Sequence, residues 1–235
     1  NTMTIDVTSV NDAPEGADNT VTALEDVPYQ FSVADFGLTD AADVPANNLL
    51  AVTVTTLPAD GTLLLNGVAV TAGQSIAVAD IVAGNFTFLG ALNEYGAGYA
   101  SFTFQVQDDG GTAFGGVDTD QTPNTMTIDV TSVNDAPEGT DNTVTTLEDT
   151  AYAFQASDFG FADADDSPAN AFAAVIIDTL PANGTLLLNG VAVTAGQAVT
   201  VADINASLLT FAPDANGNGA GYASFTFQVQ DDGGT

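Results

Sequence analysis

The chain has 235 residues, 31 acidic side chains and no Lys, Arg, His or Cys, so its formal net charge is −31. These absences exclude a thiolate zinc site, a serine–histidine–aspartate triad, a cysteine nucleophile, a Schiff-base lysine and a Walker lysine. Nucleic acids and anionic membranes lack the basic side chains that would attract them, and no apolar run approaches the roughly 18 residues of a membrane span. Because 45% of the residues are hydrophobic, we predict a folded chain rather than a disordered acidic one.

The predicted elements are strands, because Thr, Val, Phe and Ile alternate with polar residues at a period of two. In SFTFQVQ, Phe102, Phe104 and Val106 face one side and the polar residues face the other. The run LLLNGVAV at 63–70 is typical of a two-residue Asn-Gly hairpin. In chain order, we place strands A to G at 17–24, 28–36, 49–57, 62–78 (D with its hairpin), 86–89, 100–107 and 124–133.

No segment gives a convincing helix, and the VADI segments near residues 80 and 203 are predicted to form only a short turn. Seven or eight strands in about 120 residues are typical of an immunoglobulin-like or cadherin-like β-sandwich. The predicted fold class is therefore all-β, with tandem β-sandwich repeats.

A repeat of 123 residues organises the chain. NTMTIDVTSVNDAPEG at 1–16 returns at 124–139, and 80 of the 112 overlapping positions are identical at this offset, which indicates a recent duplication. We predict that the sequence is a window from a longer tandem array. Its predicted parts are 1–10, the last strand of a preceding repeat or a donor strand; 11–133, a complete repeat; and 134–235, a second repeat lacking its final strand.

Acidic residues and their Asn neighbours gather at the ends of the predicted strands. In a seven-strand sandwich, the chain entry, the B–C loop and the F–G loop share one end, and the A–B turn and the exit of strand G share the other. We therefore expect the A–B turn of one repeat to meet the entry and loops of the next. The candidate ligands are Asn11, Asp12, Glu25, Asp26, Asp40, Asp43, Asp108, Asp109, Asp118 and Asp120 in the first repeat, and Asn134, Asp135, Asp163, Asp165, Asp166, Asp231 and Asp232 in the second.

Such a cluster of carboxylates needs counter-ions that a chain without basic side chains cannot supply. Two like charges about 4 Å apart cost on the order of 4 kcal/mol at an effective dielectric constant of ~20. Ca²⁺ accepts about six to eight oxygen ligands in a flexible geometry, whereas Mg²⁺ demands an octahedron and retains its waters. We therefore predict Ca²⁺ sites at the junctions of repeats. The alternative is a generically acidic surface, as in proteins adapted to high salt.

Several motifs resemble those of the cadherin-like tandem repeats of giant bacterial surface adhesins. They are VNDAPEG at 10–16 and 133–139, the acidic pair of LEDV and LEDT, the Asp-rich B–C loop, the Pro-x-x-Gly-Thr-Leu run at 58–63 and 181–186, and FQVQDDGG. The resemblance implies a β-sandwich module with calcium at the junctions. It also implies that Asn134 and Asp135 are linker ligands and that Glu25 is a ligand from the A–B turn. The chain differs from animal cadherins in having no Asp-Arg-Glu and no Asp-x-Asp opening at the expected places.

The expected function is that of a structural extender, stiffened by calcium, in an extracellular bacterial adhesin or surface filament. Its partners are neighbouring identical repeats joined head to tail. The alternative is a self-assembling filament subunit in which residues 1–10 complete the second repeat of the next subunit, although in a covalent array the same strand would simply follow in sequence. A glycan-binding module that uses Tyr95 and Tyr99 ranks lower. No enzyme is expected, because nothing marks a cleft around paired carboxylates.

Overall fold

Two compact units make up the chain, Asn1–Val133 and Asn134–Thr235, here called unit 1 and unit 2. The structure is a computed structural model and describes residues 1–234. Both units consist mostly of β-strands, in several antiparallel sheets with few helices, which confirms the predicted all-β class. Each unit has a hydrophobic core of its own.

Unit 1 contains two sheets. Its strands are β1 (Asn19–Leu24), β2 (Tyr29–Gln30), β3 (Leu49–Val54), β4 (Thr62–Leu65), β5 (Val68–Ala69), β6 (Ser75–Ala77), β7 (Phe86–Leu89), β8 (Gly96–Asp108) and β9 (Asn124–Thr131). One sheet has the order β1-β9-β8-β3-β6 and the other has the order β2-β7-β4-β5. Neighbouring strands are antiparallel, except that β1 runs parallel to β9. Strand β9 therefore connects β1 to the rest of the larger sheet.

Side chains from both sheets fill the core of unit 1. Phe31 contacts Phe86 of the smaller sheet and Phe102 of the larger one, with ring centroids 4.8 and 5.6 Å apart. Phe104 is fully buried and packs edge-on against Phe36 at 5.1 Å. Aromatic pairs at such distances add about 0.5–1.5 kcal/mol beyond the burial of their surface. The period-two pattern of β8 thus produces the buried face that the sequence predicts.

Strand B is shorter than predicted. Strand β2 covers only Tyr29–Gln30, and Val33–Phe36 forms a 3-10 helix. The Asp35 side chain accepts a hydrogen bond from the N–H of Ser32 at 2.7 Å, and Gly37 ends the helix with a φ of +56°, a conformation that suits glycine. These local hydrogen bonds replace the ladder bonds that a longer strand would need.

The two VADI segments form short α-helices, so the prediction that they are only turns was wrong. They are α1 (Val78–Val82) and α2 (Val201–Asn205), and each buries one isoleucine, Ile81 or Ile204, in its own core. Helices of this length are unstable in water by themselves. The buried isoleucine therefore explains why they form here, and periodicity over five residues is too short to predict them.

Unit 2 contains β10 (Tyr152–Ala153), β11 (Phe172–Ile177), β12 (Thr185–Leu188), β13 (Val191–Ala192), β14 (Gln197–Thr200), β15 (Leu209–Ala212) and β16 (Phe227–Asp231). Its sheets have the orders β10-β15-β12-β13 and β14-β11-β16. Within the described part of the chain, 142–147 forms no strand, although its sequence NTVTTL nearly repeats the NTVTAL of β1.

Tyr29 should ionise at an unusually high pH. Its hydroxyl donates to Asp35 Oδ2 at 3.2 Å, and burial, together with the charge of Asp35 and this hydrogen bond, raises the pKa of Tyr29 to about 12. The unfolded chain ionises at its ordinary pKa of about 10. The contribution of Tyr29 to stability is therefore complete below about pH 10 and is lost as the pH rises towards 12. A pH titration of phenolate absorbance should show this last step disappear in Tyr29→Phe, and an unchanged titration would contradict the assignment.

Candidate metal centre

Three loops of unit 1 meet around the side chain of Asn11. Asn11 Nδ2 donates to Asp108 Oδ1 at 3.1 Å, and Asn11 Oδ1 accepts a hydrogen bond from Asn47 Nδ2. The N–H of Asp12 donates to Asp43 Oδ2 at 2.9 Å. These bonds join the chain entry to the loop before β3 and to the end of β8. The group is called acidic cluster 1 and consists of Asn11, Asp40, Asp43, Asn47 and Asp108.

Asp108 is the most deeply buried carboxylate of acidic cluster 1, with 0% of its surface exposed. It ends β8, where its Oδ1 also accepts the N–H of Gly110 at 2.9 Å. Burial raises the pKa of Asp108, and the negative charges of Asp40 and Asp118 raise it further against the opposing hydrogen bonds. Because the ionised form is disfavoured here, a nearby cation would stabilise it.

Asp40 has one satisfied oxygen and one unsatisfied oxygen. Its Oδ2 accepts the N–H of Asn47 at 2.6 Å. Its Oδ1 is buried and has no hydrogen-bond partner among residues 1–234, and the whole residue is only 6% exposed. A buried acceptor without a partner costs about 1–3 kcal/mol, and more if it is charged. The position therefore suits a positively charged ligand.

The same arrangement recurs in unit 2. The N–H of Asp135 donates to Asp166 Oδ1 at 3.1 Å, as Asp12 does to Asp43. Asn170 donates through its N–H to Asp163 Oδ2 and through Nδ2 to Asn134 Oδ1. Acidic cluster 2 consists of Asn134, Asp163, Asp166, Asn170 and Asp231, which are the residues 123 positions after those of acidic cluster 1.

Two carboxylates of acidic cluster 2 also carry negative charge that no basic side chain neutralises. Asp231 is 4% exposed, and its buried Oδ2 has no hydrogen-bond partner within the described residues. Burial raises the pKa of Asp163, and a hydrogen bond to Asp166, with the charges of Asp166 and Asp231, raises it further. The clusters of both units thus bury negative charge that the chain does not neutralise.

Sequence reasoning did not select Asn47 and Asn170 as site residues, although Asn47 donates hydrogen bonds to two members of its cluster and Asn170 to three. The signal was present, because both follow the Pro-Ala dipeptide that the two copies share. It also missed Gly110 and Gly233. A Cβ at either position would overlap the cluster's two asparagine side chains, so the Gly after Asp-Asp is needed for space.

Three other predicted ligands make hydrogen bonds that brace their loops. Asp109 Oδ1 accepts the N–H of Asn48 at 2.8 Å, and hydrogen bonds from Asn48 lower the pKa of Asp109. In unit 2, Asp232 Oδ1 accepts the equivalent bond from the N–H of Ala171 at 2.7 Å. Asp118 Oδ2 accepts a bond from Gln107 Nε2 at 3.0 Å. In each Asp-Asp pair, the first residue is therefore buried in the cluster and the second is an exposed brace.

Asp120 is buried at 3% exposure but is fully hydrogen bonded. Its Oδ2 accepts bonds from the N–H of Gly16 at 2.9 Å and from Asn124 Nδ2 at 2.6 Å, and its Oδ1 accepts the N–H of Thr122 at 2.9 Å. These bonds hold the segment before β1 against the start of β9. They account for Asp120 without a cation.

Glu25 and Asp26 follow β1. Glu25 is 1% exposed; its Oε1 accepts the N–H of Val133, and its buried Oε2 has no hydrogen-bond partner within the described chain. Asp26 is exposed and accepts the N–H of Asn93 at 3.2 Å. In unit 2, Glu148 is exposed at the position that corresponds to Glu25. The two repeats therefore differ at this end.

The buried oxygen atoms of these side chains fit a hard cation. Asp40 in unit 1 and Asp231 in unit 2 each have a buried carboxylate oxygen without a hydrogen-bond partner among residues 1–234. Carboxylate and amide oxygens are the preferred donors for Ca²⁺ and Mg²⁺, and imidazole and thiolate donors are absent because the sequence has no His or Cys. Asp12 and Asp165 are exposed, so their carboxylates do not belong to the buried set of oxygens.

Comparison with models of protein families, with curated proteins and with solved structures gives no match to this chain. Across residues 1–234, none of the helices has the length and apolar character needed to cross a bilayer.

Proposed function

We propose that the chain is a calcium-binding structural repeat of an extracellular bacterial adhesin or surface filament. The observation that carries the proposal is that each unit buries a carboxylate oxygen without a hydrogen-bond partner among residues 1–234, Asp40 Oδ1 in unit 1 and Asp231 Oδ2 in unit 2, in a chain that has no basic side chain. On this proposal, each unit is a cadherin-like β-sandwich, and its two sheets enclose one core. Calcium neutralises the acidic residues at the unit ends.

Calcium fits acidic clusters 1 and 2 better than magnesium does. Their oxygens come from carboxylates and amides on loops, and the carboxylates also accept backbone N–H groups, as Asp108 Oδ1 accepts that of Gly110. Ca²⁺ tolerates an irregular set of about six to eight oxygens, whereas Mg²⁺ requires near-octahedral geometry. The pKa values of Asp108 and Asp163 are raised above their ordinary value, so a bound cation would favour the ionised forms of both residues. This also supports a cation at each cluster.

A structural role follows from the repetition and from the path of the chain. Val133, whose N–H is held by Glu25, directly precedes Asn134 of acidic cluster 2. Calcium bound by acidic cluster 2 would restrain the first residues of unit 2. The absence of Lys and Arg also removes every trypsin site, which suits exposure to extracellular proteases.

Calcium is expected to raise the melting temperature of the full chain relative to EDTA. At a free concentration of about 100 times Kd, each site adds ~2.7 kcal/mol, which corresponds to about 10–20 °C for a domain of this size. Asp40→Asn should lose most of the calcium effect in unit 1. Asp60→Asn is the matched control, because it removes the same charge from an exposed turn.

The experiment includes magnesium and sodium chloride at equal ionic strength. If sodium chloride alone stabilises the chain as much as calcium, the acidic residues are a general salt adaptation and the proposal fails. It also fails if Asp40→Asn responds to calcium as fully as Asp60→Asn does. Small-angle scattering with and without calcium then tests the spacer role, which predicts a less flexible chain in calcium.

A further inference from the structure

The five Asn-Gly dipeptides of the chain lie in two different structural settings. Asn66-Gly67 is the two-residue turn between β4 and β5, and Asn189-Gly190 is the corresponding turn between β12 and β13. Asn183-Gly184, Asn216-Gly217 and Asn218-Gly219 lie in loops of unit 2. The dipeptides are chemically identical, so a difference in their reactivity has to come from the fold.

The two hairpin turns leave the reacting groups of the dipeptide open to solvent. Asn66, Gly67, Asn189 and Gly190 are all exposed. Among residues 1–234, neither asparagine side chain and neither glycine N–H has a hydrogen-bond partner. A Cβ added at either glycine would meet no atom within 4 Å, so water has access to the amide from outside the hairpin.

Asn183-Gly184 is held by two hydrogen bonds. The Asn183 side chain donates to the carbonyl of Tyr222 at 3.0 Å. The N–H of Gly184 donates to Asp214 Oδ2, also at 3.0 Å. Both bonds have to break before the Gly184 nitrogen can approach the Asn183 side chain in a new conformation.

The last two dipeptides are also held. The N–H of Gly217 donates to the carbonyl of Asp214 at 2.8 Å. The Asn218 side chain donates to Glu148 Oε2 at 2.8 Å. In each dipeptide, one of the two groups that would react is therefore engaged in a hydrogen bond.

We propose that Asn66 and Asn189 are the sites at which this chain deamidates spontaneously. The backbone nitrogen of the following glycine attacks Cγ of the asparagine and closes a succinimide ring. The Cγ–Nδ2 bond breaks, and ammonia leaves with the proton that the backbone nitrogen gives up. Water then opens the ring at one of its two carbonyls, which produces either aspartate or isoaspartate. Glycine favours the attack because it has no Cβ to obstruct the ring.

The position of each turn at a sheet edge makes the rearrangement that precedes ring closure inexpensive. Strand β5 consists only of Val68–Ala69, is exposed, and is paired with β4 alone. Strand β13 has the same length and place in unit 2. Segments with few buried contacts open locally at little cost in free energy. Each turn can therefore rearrange while the core of its unit stays folded.

The two products should affect the hairpins differently. Each conversion adds one negative charge to the −31 of the chain. Aspartate followed by glycine suits the turn, whose two residues have φ angles of +52° and +77° in unit 1. Isoaspartate has a longer backbone, so it should loosen the hairpin and speed hydrogen exchange at 68–70. The reaction is independent of calcium and of the proposed function.

The first test is a time course of the full, folded chain in mildly alkaline buffer. A protease that cleaves before Asp, followed by tandem mass spectrometry, measures conversion at each asparagine. Asn66 and Asn189 should convert at least about tenfold faster than Asn183, because Asn183-Gly184 must first lose two hydrogen bonds. In urea, all five should convert at similar rates. Equal rates in the folded chain, or no conversion at Asn66 and Asn189 when all five convert in urea, overturn the proposal.

The second test removes a brace. Asp214→Ala takes away the acceptor of the Gly184 N–H, so conversion of Asn183 should become several-fold faster. Asp178→Ala is the matched control, because it removes one charge from another exposed position of unit 2. Conversion of Asn189 should be the same in both variants. An equal rate at Asn183 in the two variants overturns the proposal, because hydrogen bonding would then not decide which dipeptides react.

Discussion

Replacing Ile128 by Ala is expected to lower the free energy of unfolding of unit 1 by about 2–5 kcal/mol. The side chain is 0% exposed and lies on β9, where Ile128 pairs with Val21 of β1 and with Ala100 of β8. The substitution removes three carbons from the core and leaves a cavity that neighbouring strands cannot fill. Hydrogen exchange of amides in β8 and β9, followed by mass spectrometry, measures the loss in the full chain.

Ile5→Ala is the control for this prediction, because the same ten-residue sequence surrounds both positions. Ile5 is 78% exposed, so its replacement should change stability by no more than about 0.5 kcal/mol at concentrations where the chain is monomeric. Similar losses for the two variants would show that residues 1–10 are packed in the monomer. That outcome would contradict the exposure that the structure gives them.

Asp120→Ala is expected to destabilise unit 1 by about 1–3 kcal/mol. The change removes three hydrogen bonds and leaves donors of Gly16, Thr122 and Asn124 without their acceptor. Gly16 and Asn124 are half-buried, whereas Thr122 is exposed and its N–H can bond to water instead. Because Asp120 joins the segment before β1 to the start of β9, the loss should appear as faster hydrogen exchange in both strands.

The response of Asp120→Ala to calcium separates its two possible roles. If Asp120 is a brace, the variant loses the same stability in calcium and in EDTA. If it is also a calcium ligand, as its place in the acidic F–G loop predicts, the loss is larger in calcium than in EDTA. Asp60→Ala, in an exposed turn, controls for removal of one charge.

Much of the fold could be predicted from local patterns. The alternation of Phe102, Phe104 and Val106 identified the buried face of β8, and Asn66-Gly67 identified the β4–β5 hairpin, where both residues have the positive φ angles that its turn requires. The clustering of Asp in loops predicted groups of neighbouring negative charges, but it did not show which of these Asp residues are buried. Both residues of Asp108-Asp109 look alike in the sequence, yet one is buried and the other braces Asn48.

The all-β class and the strand faces could be predicted from side-chain alternation, because alternation is a local property of an extended chain. Which copies of the repeated segments form strands depends instead on contacts with other parts of the fold. NTMTIDVT is β9 at 124–131 and no strand at 1–8, and the β1 sequence has no strand counterpart at 142–147. A strand needs a neighbour for its hydrogen bonds and a core for its apolar face. Neither requirement can be read from the strand's own residues.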